Sequence, residues 1–146
     1  MADTVSVTYI YPPGMLDGDW DDKSGNRRVI VQLSCNSDGT GETDVIKVDL
    51  SDLKTPSGIA PTRTSVEWVK WQIAGMNVAL EWDRAPHVEI VRLNSNSLES
   101  SGKFDWRSVG GKVDPGGDDR TGDILLTSTG ANGNSYDITL GIRLKD

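Results

Sequence analysis

The sequence predicts an all-β fold: one domain over residues 1–146, built as an antiparallel β-sandwich of about eight strands, jelly-roll or immunoglobulin-like, with long loops. Valine, isoleucine and threonine, which favour strands, account for 33 of the 146 residues, whereas the helix formers alanine and glutamate number 6 and 5. Short runs alternate apolar and polar residues, and 16 glycines and 6 prolines punctuate them. No stretch repeats its apolar residues with a helical period, so a sandwich is the better prediction.

The first part of the chain contains three alternating runs, predicted as strands at residues 4–11, 27–35 and 44–50. The first run has Val5, Val7, Tyr9 and Tyr11 on one face, and the third has Ile46, Val48 and Leu50 in register. In the second run, Val29, Val31, Leu33 and Cys35 are predicted to alternate inward. A long acidic connection over residues 12–26 separates the first run from the second. The turn-forming residues 36–41 separate the second from the third.

Residues 64–73 and 76–82 predict the fourth and fifth strands as a β-hairpin that turns at Ala74-Gly75. The resulting apolar pairs are Ile73 with Met76, Trp71 with Val78, and Val69 with Leu80. A slip of one residue would place a polar residue opposite Trp71, so the pattern selects this register. The same register places Glu81 opposite Trp68 on the outer face.

Three more strands are predicted at residues 87–93, 123–129 and 135–144. A polar stretch over 94–103 and a long loop over 110–122 lie between the first two of these, and Asn132-Gly133 predicts a type I′ turn before the last. The last strand alternates most regularly: Tyr136, Ile138, Leu140, Ile142 and Leu144 face inward, and Asp137, Thr139 and Arg143 face outward.

The composition argues against several classes of partner and cofactor. The net charge of -7 makes nucleic acid and anionic membranes poor partners, since both are negatively charged. No stretch approaches the roughly 18 apolar residues of a membrane span, and the N-terminus does not resemble a signal peptide. A single cysteine, Cys35, and a single histidine, His87, exclude an internal disulfide and a zinc site rich in either residue. We therefore expect no cofactor.

Trp68 is the most informative single residue of the sequence. It lies on the opposite face of its strand from Val69 and Trp71, beside the polar Lys70 and Gln72. Either a loop or the N-terminal segment covers it, or it is an exposed aromatic for a protein contact or for stacking on a sugar. Trp71 and Trp82 alternate with aliphatic residues and are predicted to be core. Trp20 and Trp106 have polar neighbours, and each would plug the end of the sandwich or project as an anchor.

Two acidic loops raise the question of calcium. Asp17, Asp19 and Asp21 alternate as in an EF-hand loop, but Asp22 stands where that motif needs glycine and Arg28 where it needs glutamate. In the second loop, the run Pro115-Gly116-Gly117 explains the acidic residues as ordinary turn chemistry. Its acidic residues are Asp114, Asp118 and Asp119. Solvated loops are the better prediction for both.

The catalytic candidates are few, and we predict that the chain is not an enzyme. Glu67, Glu81 and Glu89 lie on predicted strands, where a pair of carboxylates could serve a glycosidase, but the same pattern is typical of a solvated sheet face. His87 has no second histidine to complete a site. Cys35 falls in an inward-facing set, which indicates a buried thiol and not a nucleophile.

Several segments resemble a family of small virion proteins of tailed bacteriophages. The likeness covers roughly residues 27–146, and the runs that carry it are 27–33, 37–42, 45–49, 106–111, 122–127 and 136–140. The resemblance implies a capsid decoration, or cement, protein that is made in the host cytoplasm and resides on the outside of the virion. Its partner would be the major capsid protein, with the chain present as a homo-oligomer or in many copies. The resemblance transfers no functional residue.

Two alternatives remain open beside that role: a carbohydrate-binding or host-recognition module, and a tail or neck component of the virion. The residues that we expect to make protein contacts are Tyr9, Tyr11, Trp20, Trp68, Trp106, Asp114 and Arg120. Five of them are aromatic, and the other two are charged residues of the 110–122 loop.

Overall fold

Ten strands in two antiparallel sheets make up the structure, a computed structural model that describes residues 4–11, 28–50, 63–83, 88–94, 101–113, 123–129 and 132–145. The strands are β1 (Thr4–Tyr11), β2 (Arg28–Asp38), β3 (Glu42–Val48), β4 (Arg63–Ala74), β5 (Asn77–Trp82), β6 (Val88–Asn94), β7 (Ser101–Asp105), β8 (Lys112–Val113), β9 (Ile124–Thr129) and β10 (Asn132–Lys145).

The first sheet has six strands in the order β1-β2-β10-β4-β7, with the short β8 also paired to β4. The second has four, in the order β3-β9-β5-β6. The prediction of an all-β sandwich is confirmed. Its core lies between the sheets and is filled by the alternate side chains of the central strands, because successive residues of a strand point to opposite faces.

Strand β10 shows why the central strands are predictable. Its inward set is buried throughout, as predicted: Tyr136, Ile138, Leu140, Ile142 and Leu144. The inward set of β2 is also buried as predicted, and Trp71 and Trp82 are core residues. In β2 and β10, which have a neighbour on both sides, the opposite sheet covers the inward face, and burial follows the alternation of the sequence. Strand β9 differs, because Ile124, Leu125 and Leu126 are all buried.

The predicted hairpin between β4 and β5 is wrong. Strand β4 pairs with β10, β7 and β8, whereas β5 pairs with β6 and β9 in the other sheet. Both sets of apolar residues are nevertheless buried, because they face the same core from opposite sheets. Glu81 accordingly does not lie opposite Trp68. Alternation shows which face of a strand is buried, and it carries no information about which strand lies alongside.

The connection at Ala74-Gly75 is therefore a corner between the sheets. Gly75 has a φ of +78°, and its carbonyl oxygen accepts a hydrogen bond of 3.0 Å from Nδ2 of Asn134. The connections from β2 to β3 and from β9 to β10 also pass between sheets. The type I′ turn predicted at Asn132-Gly133 is also wrong. Asn132 is already the first residue of β10 and pairs with Asp38 of β2.

Two edge segments depart from prediction. Strands β7 and β8 fall in the stretches predicted as polar and as a loop, and backbone pairing with β4 organises both. In β3, Ile46 is exposed although Val48 and Leu50 are buried, as the register shifts between Ile46 and Val48. The shift buries Lys47 instead, because an irregularity in a strand interrupts its alternation.

Candidate contact surface

The outer face of the six-stranded sheet carries Trp68, which is half-buried. Its backbone pairs with Gly141 of β10, and its indole lies over that glycine: a Cβ at position 141 would be 2.1 Å from Nε1. Gly141 thus provides the space that the ring occupies. Neither of the two predictions for Trp68 includes this packing of the indole on the neighbouring strand. The available signal was a glycine inside an otherwise regular strand, which often marks a close approach.

Charged groups surround the Trp68 ring. The ammonium of Lys103 lies over the ring, 5.5 Å from its centroid. Beside it, Nε of Arg28 donates to Oε1 of Glu67 at 2.8 Å. Arg28 and Glu67, together with Trp68 and Gly141, line a shallow cleft of about 180 Å³. This face is polar, with one aromatic group held in a fixed orientation.

Trp106 lies at the open edge of the same sheet, between β7 and β8. Its amide donates to the carbonyl of Glu67 at 2.8 Å and continues the pairing with β4. Its carbonyl accepts from the amides of Val109 at 3.0 Å and Gly111 at 2.8 Å. The ring is half-buried, packs against the core and stacks on Phe104 at a centroid distance of 5.7 Å. Of the two predicted roles for Trp106, plugging the sandwich matches this position.

Residues 107–110 form a tight turn that projects from this edge. The amide of Gly110 donates to the carbonyl of Arg107 at 3.2 Å, and Gly110 adopts a φ of +84°. Asp105 braces the turn, because its Oδ1 accepts from both the amide and Nε of Arg107 at 3.0 Å. These bonds from Arg107 lower the pKa of the Asp105 carboxyl from 3.8 to about 2. The charged carboxylate is thus the form that accepts the hydrogen bonds closing the turn.

We call residues Ser101–Val113 the β7–β8 edge. It exposes three large apolar side chains, those of Phe104, Val109 and Val113, with Val109 75% exposed at the turn. It also carries three basic residues, Lys103, Arg107 and Lys112, against one acidic residue, although the whole chain has a net charge of -7. Exposed apolar groups with a positive rim, on an acidic protein, are typical of a contact surface.

The three glutamates considered for catalysis do not all come together. Glu67 belongs to the six-stranded sheet, whereas Glu81 and Glu89 are a cross-strand pair in the other. Glu89 is paired with Arg92 at 2.8 Å, and Glu81 lies 3.2 Å from the Thr127 hydroxyl. Glu67 therefore forms no carboxylate pair with either of the others. Glu81 and Glu89 do lie on neighbouring strands, and they are engaged by Thr127 and Arg92 respectively.

The structure reaches only part of the predicted site. Trp20, Asp114 and Arg120 lie outside the described residues, as do His87 and both acidic loops. Tyr9 pairs with Val31 and Tyr11 with Ile30, with an irregularity between them. Cys35 is buried, as predicted. Among the described residues, no group of three or more acidic, histidine or cysteine side chains could hold a metal ion.

The fold and this surface define a β-sandwich that presents a polar sheet face and an apolar, basic edge. Comparison of the chain with protein-family models, curated proteins and solved structures finds no match. Within the described part of the chain, no helix is long and apolar enough to cross a membrane.

Proposed function

We propose that the chain is a structural protein of a bacteriophage virion, a decoration protein that binds the outside of the head and stabilises contacts between major capsid subunits. The resemblance of its sequence to small phage virion proteins supports this role. The structural observation that carries the proposal is the β7–β8 edge, where exposed Phe104, Val109 and Val113 lie among basic residues.

The geometry of this edge suits binding without rearrangement. The turn at Arg107–Val109 is closed by its own backbone hydrogen bonds and by Asp105, so little conformational freedom is lost on contact. Phe104 is supported from behind by Trp71, at a ring-centroid distance of 4.8 Å. Rigid apolar groups that project from a supported edge are the usual anchors of a protein interface.

The charge distribution suggests how the protein is oriented on a shell. Its basic edge fits an acidic surface on the capsid subunit, whereas the acidic remainder would face solvent and keep particles apart. Each interface of this kind is small. Many copies on one shell, each touching neighbouring capsid subunits, add their contributions over the particle.

Binding to heads that lack the protein tests this proposal. Purified wild-type protein should bind such heads in hundreds of copies and raise the temperature at which they break. Val109→Glu should reduce binding at least tenfold, because it places a charge at the most exposed apolar position of the edge. Ile46→Glu is the matched control, since Ile46 is an exposed aliphatic residue on β3, in the other sheet.

Equal breakage temperatures with and without the protein would contradict the cement role. A handful of copies in the intact virion would instead indicate a tail or neck component. Binding by Val109→Glu at the wild-type level would remove the β7–β8 edge from the interface.

A carbohydrate-binding or host-recognition module is the second candidate, and the orientation of Trp68 favours it. The indole is held over Gly141 on a polar face, where Gln32 donates to Oδ1 of Asp137 at 2.9 Å. A sugar could stack on such a ring once the Lys103 ammonium moves aside. Glycan-induced quenching of tryptophan fluorescence, lost in Trp68→Ala, would support this candidate, and no response across a broad glycan panel would exclude it.

A further inference from the structure

We propose that two copies of this chain associate through β1, which pairs antiparallel with the β1 of the second copy about a twofold axis. The two six-stranded sheets would then form one continuous sheet. This inference goes beyond the proposed function and does not depend on it.

Strand β1 is the terminal strand of its sheet and pairs, among the described strands, with β2 alone. Its register with β2 is regular from Thr4 to Tyr9, over six consecutive residues. A regular terminal strand presents a row of backbone amide and carbonyl groups on its free side, and those groups are a template for another strand.

The side chains of β1 show that the core side of this strand is left open. Val5 pairs with Cys35 and Val7 with Leu33, and both partners are buried in the core. The two valines point to the same side as their partners, yet they are 43% and 39% exposed. The second sheet therefore covers the inward face of β2 but leaves the valines of β1 partly exposed.

The other three sheet edges in the described chain carry features that oppose pairing with another molecule. At the β7–β8 edge, the projecting turn at residues 107–110 interrupts the strand. In β3, Asp44 has a φ of +50° and the register shifts twice. At β6, the register shifts opposite Leu80 and Glu81, and charged Glu89 and Arg92 are exposed. Bulges and charges of this kind protect natural edges against association.

Strand β1 has none of these protections between Thr4 and Tyr9. Its eight residues include no charged residue and no proline. Because each copy has a net charge of -7, two copies repel each other over most of their surfaces, and an uncharged edge is where they approach at the lowest electrostatic cost. A register that opposes Val5 of one copy to Val7 of the other would place all four valines on one side of the joined sheet.

Sedimentation of the purified full-length protein tests this association. The wild type should sediment at twice the chain mass of 15.8 kDa and dissociate on dilution. The double variant Val5→Lys/Val7→Lys should sediment as a monomer, because it places like charges opposite each other across the twofold axis. Val45→Lys/Ile46→Lys is the matched control: it adds the same charges at exposed aliphatic positions of β3 and should remain dimeric.

Hydrogen exchange of the wild type provides a second measurement that needs no variant. Alternate amides of β1, those that point away from β2, should be protected at high concentration and should exchange after dilution. A wild type that stays monomeric at the highest concentration, a trimer, or a dimer that the two lysines leave intact would overturn the proposal. So would β1 exchange that does not depend on concentration. If the wild type is monomeric and binds heads, only the dimer proposal is overturned. If it dimerises through β1 and does not bind heads, only the decoration role is overturned.

Discussion

Tyr136 on β10 donates a hydrogen bond to Oε1 of Glu42 on β3 across the interior of the sandwich, with the two oxygens 2.6 Å apart. The other carboxylate oxygen, Oε2, lies 2.5 Å from Nζ of Lys47, whose side chain is 2% exposed. The three buried groups link the two sheets through one carboxylate. An ion pair removed from water is retained only where its geometry and additional hydrogen bonds compensate for desolvation.

Tyr136→Phe should lower the free energy of unfolding by about 1–3 kcal/mol, because it leaves a buried carboxylate oxygen without its donor. Urea unfolding followed by circular dichroism measures the change. The ring is otherwise conserved by this substitution, so an unchanged unfolding midpoint would mean that the hydroxyl contributes nothing to the contact between sheets.

Lys47→Met should be more damaging, by about 3–5 kcal/mol, because it leaves the Glu42 carboxylate buried without its counter-ion. The matched control is Arg92→Met, which breaks the exposed pair with Glu89 and should cost under about 1 kcal/mol. Equal unfolding midpoints for the two variants would contradict the assignment of Lys47–Glu42 as a buried pair.

Gly141→Ala should destabilise the protein by about 1–3 kcal/mol, because the new Cβ would be 2.1 Å from Nε1 of Trp68 and the indole would have to move. The cost should disappear in a Trp68→Ala background, where the space above the strand is free. A double-mutant cycle of urea unfolding measures this coupling, and strictly additive effects would show that the two residues do not share that space.

Gly75→Ala should cost about 2–4 kcal/mol, more than Gly110→Ala at about 1 kcal/mol. Both glycines have positive φ, +78° and +84°, so both substitutions strain the backbone. Only at Gly75 would the Cβ also collide, at 2.6 Å from Oδ1 of Asn134, whereas nothing lies within 4 Å of a Cβ at Gly110. Thermal unfolding of the two variants compares them directly, and an equal loss at both would exclude the collision at the corner.

The pH dependence of the turn on the β7–β8 edge follows from Asp105. Its pKa in the folded protein, about 2, lies below the ordinary value of 3.8, so the bond to Arg107 stabilises the turn fully above about pH 4 and is lost as the pH falls through 2. A carboxyl-carbon NMR titration should give a midpoint near 2, shifted towards 3.8 in Arg107→Met. A wild-type midpoint at 3.8 would show that Asp105 does not brace the turn.

The burial of the central strands could be predicted from the sequence, whereas the details of the edges could not. The alternation of β10 is complete because both of its neighbours and the opposite sheet surround it. Edge strand β7 has only one large apolar residue, Phe104, and so shows no alternation in the sequence; its backbone pairing with β4 and the contact of Phe104 with Trp71 place it. Lys47, between Ile46 and Val48, has nothing in the sequence to distinguish it from a solvated lysine.

The candidate surface was likewise predictable from the sequence only in part. The polar neighbours of Trp68 and Trp106 in the sequence identified both as candidates. The packing of Trp68 on Gly141 and the turn closed by the Trp106 carbonyl depend on strand pairing. The exposure of Val109 and Val113 follows from their position at an edge, and no local pattern of residues indicated it.

The sequence by itself determined which face of β2 and of β10 is apolar, because the alternation of side chains is a local property of an extended chain. Only the tertiary structure decided which strands are neighbours. Two strands with apolar faces can bury them either as hydrogen-bonded neighbours in one sheet or across the core in opposite sheets. Trp71 and Val78 are both buried, and they lie in opposite sheets because the chain passes from one sheet to the other at Gly75.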